Sequence, residues 1–125
     1  MAILDIVGKD VRTTRTVDLG DFAEGYRGAT FEVNVTPSRG HLQEWTDITE
    51  TIRQAADGKT LDLVAVMAEH NERVARWLAA TWSMPVEEVT QIREVLLERN
   101  PLAWEWLYKR TFDVIGEYRS EVLKN

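Results

Sequence analysis

Ala29-Thr30-Phe31-Glu32-Val33-Asn34-Val35-Thr36-Pro37 is the stretch on which the fold turns. Its alternation puts Ala29, Phe31, Val33 and Val35 on one face and Thr30, Glu32 and Asn34 on the other, the period of a half-buried strand. Pro37 offers no N–H to a ladder and ends the strand. Before it, β-branched residues and glycines prevail. After it, the apolar period becomes helical.

Upstream, Val11 to Leu19 is a second strand candidate, with Val11, Thr13, Arg15, Val17 and Leu19 on one side. Its poorer alternation suits an edge or a partly covered face. Ile3 to Val7 reads as a third strand, with Gly8-Lys9-Asp10 as its turn. The loop from Gly20 to Gly28 holds three glycines and Tyr26 and joins two antiparallel strands.

Downstream, Leu42, Trp45, Ile48 (or Thr49), Ile52 and Ala55 step by three and four, an amphipathic helix closing at Asp57-Gly58. Thr60 can cap a second helix with Asp62 in its first turn, and its stripe runs through Leu63, Met67, His70, Val74, Trp77 and Leu78 to about Trp82. Ser83 and Pro85 open a third, with Val89, Ile92, Val95 and Leu96 as the apolar face. Asn100-Pro101 is the sharpest boundary, an N-cap residue followed by proline at the first helical position. The last helix carries Trp104, Leu107, Tyr108, Thr111, Val114, Ile115, Tyr118 and Val122 on one side. The expected class is α+β: a small N-terminal antiparallel sheet of two or three strands, then about four helices. We expect one domain over 1–125, β-rich over 1–36 and helical over 37–125. Phe31, Val33, Trp77, Leu78, Ile92, Leu96, Trp104, Leu107 and Ile115 should form its core.

A chain of 125 residues can bury a sizeable core without a disulfide or metal. Zero cysteines exclude thiol chemistry and thiolate metal sites. Fifteen Lys and Arg against 21 Asp and Glu leave a net charge of −6, which argues against nucleic acid as the partner. Met1-Ala2-Ile3-Leu4-Asp5-Ile6-Val7 lacks a basic n-region, so we expect no signal peptide, and no apolar run of about 18 residues marks a membrane span. Phosphate-loop, nucleophile-elbow and His-Glu-x-x-His motifs are missing, so we expect neither an enzyme nor a cofactor or metal site.

Two histidines are present. His70, on an apolar stripe without a second ligand at i+4, reads as a buried, hydrogen-bonded side chain, and His41 as an exposed one. Glu87-Glu88, Glu94 and Glu98 read as a solvated helix face rather than an acid–base pair. Of five tryptophans, Trp104 and Trp106 cannot share a helix face. Trp104 aligns with the core; Trp106 aligns with Leu102 and with Arg110, a position open to cation–π stacking. Trp106, Trp45, Leu102 and Arg110 are the candidate partner-binding residues, tryptophan being enriched at binding hot spots.

The order of short motifs resembles the small tail assembly chaperones of long-tailed bacteriophages. First come Arg15-Thr16-Val17-Asp18-Leu19-Gly20-Asp21-Phe22, Gly25-Tyr26, Phe31-Glu32-Val33 and Thr36-Pro37. A helical half follows, with Val74-Ala75-Arg76-Trp77-Leu78, Met84-Pro85-Val86 and Asn100-Pro101, so that the likeness runs from Arg15 to Tyr118. It implies a non-enzymatic protein that binds the tape measure protein, keeping that long apolar chain soluble in the host cytoplasm while the tail tube assembles. The tail tube protein is a second implied partner, and a homo-oligomer is compatible with the resemblance. The alternative is a structural head–tail connector or tail completion protein of the virion. Because this family is often made in two lengths by ribosomal frameshifting, Leu123-Lys124-Asn125 raises the expectation of a longer frameshifted product.

Overall fold

The structure, a computed structural model, describes residues 2–54 and 63–124. In order it forms α1 (Ile3–Val7), β1 (Thr14–Asp18), two 3-10 turns (Leu19–Asp21 and Glu24–Tyr26), β2 (Thr30–Asn34), α2 (Arg39–Gln54), α3 (Leu63–Trp82), α4 (Val86–Arg99) and α5 (Pro101–Leu123). This is the expected α+β class. Asp57-Gly58, Thr60 and Asp62 lie outside the described residues.

β1 and β2 pair antiparallel with Val17 opposite Phe31 and Arg15 opposite Val33. Ladder bonds continue past both ends, Leu19 N–H to Ala29 O at 2.9 Å and Val35 N–H to Thr13 O at 2.9 Å. Val17, Leu19, Phe31, Val33 and Val35 are buried beneath the sheet, whereas Ala29, which shares their parity, is exposed where the hairpin ends. The connection is fastened by charge. Asp18 accepts from Gly20 N–H at 2.7 Å and Gly28 N–H at 3.3 Å, while the Arg27 guanidinium reaches Asp21, Glu24 and the Gly20 carbonyl. Gly28 takes φ +100°, a conformation that L side chains rarely adopt.

The sheet lies on α3 and α5, and α3 packs against α2, α4 and β2. Ser38 opens α2 by accepting the His41 N–H at 3.1 Å. At the far end of α3, Ser83 holds φ 53° and Met84 N–H returns to Ala79 O at 3.0 Å, a Schellman-type closure with a non-glycine at the left-handed position. Pro85 is the N-cap of α4, and Pro101 begins α5 after Asn100, whose side chain makes no capping bond. One core cluster joins residues of β1, β2, α2, α3, α4 and α5, centred on the fully buried Leu78, Trp104 and Leu107.

Several expectations are corrected. Ile3 to Val7 is a short helix rather than a third strand. An apolar, β-branched run makes a strand only where a ladder partner exists; here Gly8 N–H bonds Leu4 O at 3.0 Å instead, and the segment buries nothing. Val95 is 54 % and Val122 52 % exposed, because one lies beside the α4 stripe of Val89 and Leu96 and the other lies in the part of α5 beyond Ile115 and Tyr118, past the core. Ile92 is half-buried rather than buried; the other eight expected core residues are buried.

Candidate protein-binding surface

Three of the five tryptophans spend their indole N–H inside the fold. Trp77 donates to the His41 carbonyl at 2.8 Å, Trp82 to Thr111 Oγ1 at 3.3 Å and Trp104 to Asn71 Oδ1 at 3.2 Å. Each sits where an apolar ring can pack and a polar neighbour meets its edge. Trp45 and Trp106 have no such partner among the described residues. Their nitrogens are not sealed off either, since the one buried side-chain nitrogen or oxygen without a partner there is His70 Nδ1.

The structure does not bring these two tryptophans together. Trp45, on α2, is buried by ring contacts: stacked on Phe112 at 5.2 Å and 18°, tilted against Trp77 at 4.7 Å, and 5.8 Å from Tyr108. Its remaining edge faces a cleft of about 530 Å³ between α2, α3 and α5, with Met67, His70 and Tyr108 in the wall and Glu105, Lys109 and Asp113 at the rim. Trp106 lies on the opposite side of α5, half-buried and 5.9 Å from Phe22. One turn earlier Leu102 is 65 % exposed. Arg110 does not stack on Trp106: its guanidinium bonds Glu117 at 2.9 Å, and the cation–π pair among the described residues is Arg15 over Tyr118 at 5.1 Å. The salt bridge wins because a carboxylate two turns on the same helix is a stronger partner than a ring already covered by Phe22.

A second apolar cleft, of about 240 Å³, opens between the end of β2 and α5, lined by Val35, Pro37, Leu42, Ile115, Tyr118 and Val122. Sequence periodicity did not reveal it, because it depends on how Pro37 turns the chain from sheet to helix.

The histidines behave differently from their sequence reading. His41 is half-buried, its ring lying on Trp77 and its Nε2 2.6 Å from Thr81 Oγ1. Burial lowers its pKa, opposed by Glu44. His70 is buried as expected, but Nδ1 finds no hydrogen bond; burial, then Arg73, lowers its pKa. Burial raises Tyr108, with Glu105 adding to it. Glu87, Glu88, Glu94 and Glu98 are exposed along α4, with Glu87 and Glu88 in its first turn, where acids complement the helix dipole. Among the described residues no group of three His, Asp or Glu side chains is placed to hold a metal ion, and no helix is long and apolar enough to cross a membrane. Comparison of the chain with protein-family models, curated proteins and solved structures finds no match.

Proposed function

We propose that this chain is a tail assembly chaperone of a long-tailed bacteriophage, a non-catalytic protein that holds apolar helical segments of the tape measure protein until the tail tube closes around them. The observation that carries the reading is the division among the tryptophans: three are satisfied internally, and two keep an unspent N–H, Trp106 on a half-buried ring and Trp45 at the edge of a cleft. An indole in that state suits a partner that supplies apolar side chains and a backbone or side-chain acceptor together. Leu102 extends the Trp106 surface by one turn, and the clefts beside Trp45 and Pro37 add apolar ground. Arg110, bound to Glu117, borders the Trp106 surface as part of a polar rim.

Co-expression tests this directly. The tape measure chain, insoluble when made alone, should stay in solution with this protein and co-purify with it, and Trp106→Ala should release it. A tape measure chain that precipitates equally with and without this protein refutes the proposal. Presence of the protein at fixed copy number in purified virions would instead establish the connector or tail completion role.

A further inference from the structure

The N-terminal arm and the groove beside α4 are two unmatched surfaces on the same chain. α1 displays Ile3 at 76 %, Leu4 at 79 %, Ile6 at 49 % and Val7 at 67 % exposure, with no residue buried. Five residues are too few to hold a helix by local bonds alone, so this apolar segment is neither packed nor self-sustaining. Beyond it the Arg12 guanidinium donates to Ser83 Oγ at 3.1 Å and Thr13 N–H to Thr36 Oγ1 at 3.1 Å, tethering the arm to the rest of the chain.

The groove lies toward the other end of the hairpin. It measures about 420 Å³ between Leu19, Ala29 and Phe31 of the sheet and Ile92, Val95 and Leu96 of α4, with Glu88 at its margin. Val95, which the helical period placed on the apolar face of α4, stands 54 % exposed in its wall. One ion pair is open between the two surfaces, with Asp5 on the side of α1 away from Leu4 and Val7. Lys9, two residues after the apolar segment, and Glu88 are both exposed, and neither has an ion-pair partner among the described residues.

We propose that the groove is the docking site for the Ile3–Val7 arm of a second copy of this chain, with Leu4 and Val7, which share a face of α1, seated against Phe31, Ile92 and Val95 and Lys9 paired with Glu88. One arm in one groove is a small contact. Reciprocal exchange between two copies doubles it, toward the about 1,200–2,000 Å² that stable interfaces bury, so the assembly closes as a two-fold dimer. This inference is independent of the tape measure reading and stands or falls on the protein alone.

The test is the mass of the purified full-length chain by light scattering and sedimentation at micromolar concentrations. Wild type should be a dimer. Leu4→Asp and Val95→Asp should each give a folded monomer whose thermal midpoint equals that of wild type diluted below its dimer dissociation constant, because both side chains are exposed within one copy. Lys9→Glu and Glu88→Lys should each weaken the dimer about two- to fivefold, as rim ion pairs do, and the double swap should restore it. A monomeric wild type, a dimer indifferent to Leu4→Asp, or a swap that fails to rescue would overturn the proposal. So would a Leu4→Asp midpoint below that of wild type at dilutions where wild type is itself monomeric, which would mean that the arm docks within its own chain.

Discussion

The His41 ring lies flat on the Trp77 indole, centroids 4.6 Å apart and planes 6° apart, and the same indole donates its N–H to the His41 carbonyl at 2.8 Å. Thr81 completes the knot: its hydroxyl donates to the Trp77 carbonyl at 2.8 Å and therefore accepts from His41 Nε2–H at 2.6 Å. The first turn of α2 is thereby fixed to α3 by a neutral imidazole.

That arrangement gives stability a pH dependence. Burial depresses the pKa of both His41 and His70, so the folded state favours the uncharged rings. Their contribution is fully present above the ordinary histidine value of about 6.5 and is lost as pH falls through the lowered folded values. Thermal midpoints should fall from pH 7 toward pH 5, and His41→Gln should flatten part of the slope. Asp18, Glu24 and Glu121, also depressed, act in the same direction only below about pH 4.5. An imidazole of His41 titrating above 6.5 by NMR would contradict this account.

Core truncation should be severe. Trp77 is 3 % and Trp104 1 % exposed, and replacing either with alanine should cost about 3–5 kcal/mol by chemical denaturation. Trp104→Ala also strands Asn71 Oδ1, so Trp104→Phe should cost less but more than zero.

Backbone geometry predicts opposite signs at two positions. Ser83 sits at φ 53°, so Ser83→Gly should raise stability by up to about 1 kcal/mol despite losing the Arg12 contact. At Gly20 a Cβ would come within 2.6 Å of Arg27 Cα. Gly20→Ala must move backbone, and should cost about 1–3 kcal/mol while loosening the Arg27 cluster.

Binding and folding should separate at Trp106. It is only half-buried, so Trp106→Ala should leave a folded protein while weakening tape measure binding about 30-fold, the scale of a hot-spot residue. Trp45→Phe keeps one aromatic ring against Phe112 and removes the N–H with the rest of the indole; full binding by this variant would assign the contact to the Trp106 face alone.

The strand pair and the boundaries at Pro37, Pro85 and Pro101 were legible because they obey local rules: alternation through Phe31, Val33 and Val35, and a proline at each of those three breaks. Ile3 to Val7 was misread because a strand needs a neighbour, and no local pattern reports whether one exists. Val95 was misread because a stripe of period 3.6 has margins, and the width of the surface covering α4 decides which margin is wet. At the candidate site, Trp106 and Leu102 could be placed on one face by spacing. The Arg110–Glu117 bond, the ring cluster around Trp45 and the cleft beside Pro37 arise from contacts whose competition spacing does not express.

Trp45 and Trp77 stand 4.7 Å apart with their planes inclined at 44°. Two identical chromophores so close and so tilted do not absorb independently; their transitions mix and rotate light strongly. The native protein should therefore show an exciton couplet in circular dichroism that Trp45→Phe erases without unfolding the chain. Because one indole borders the open cleft and the other is locked to His41, a partner entering that cleft would write its arrival into the shape of the spectrum.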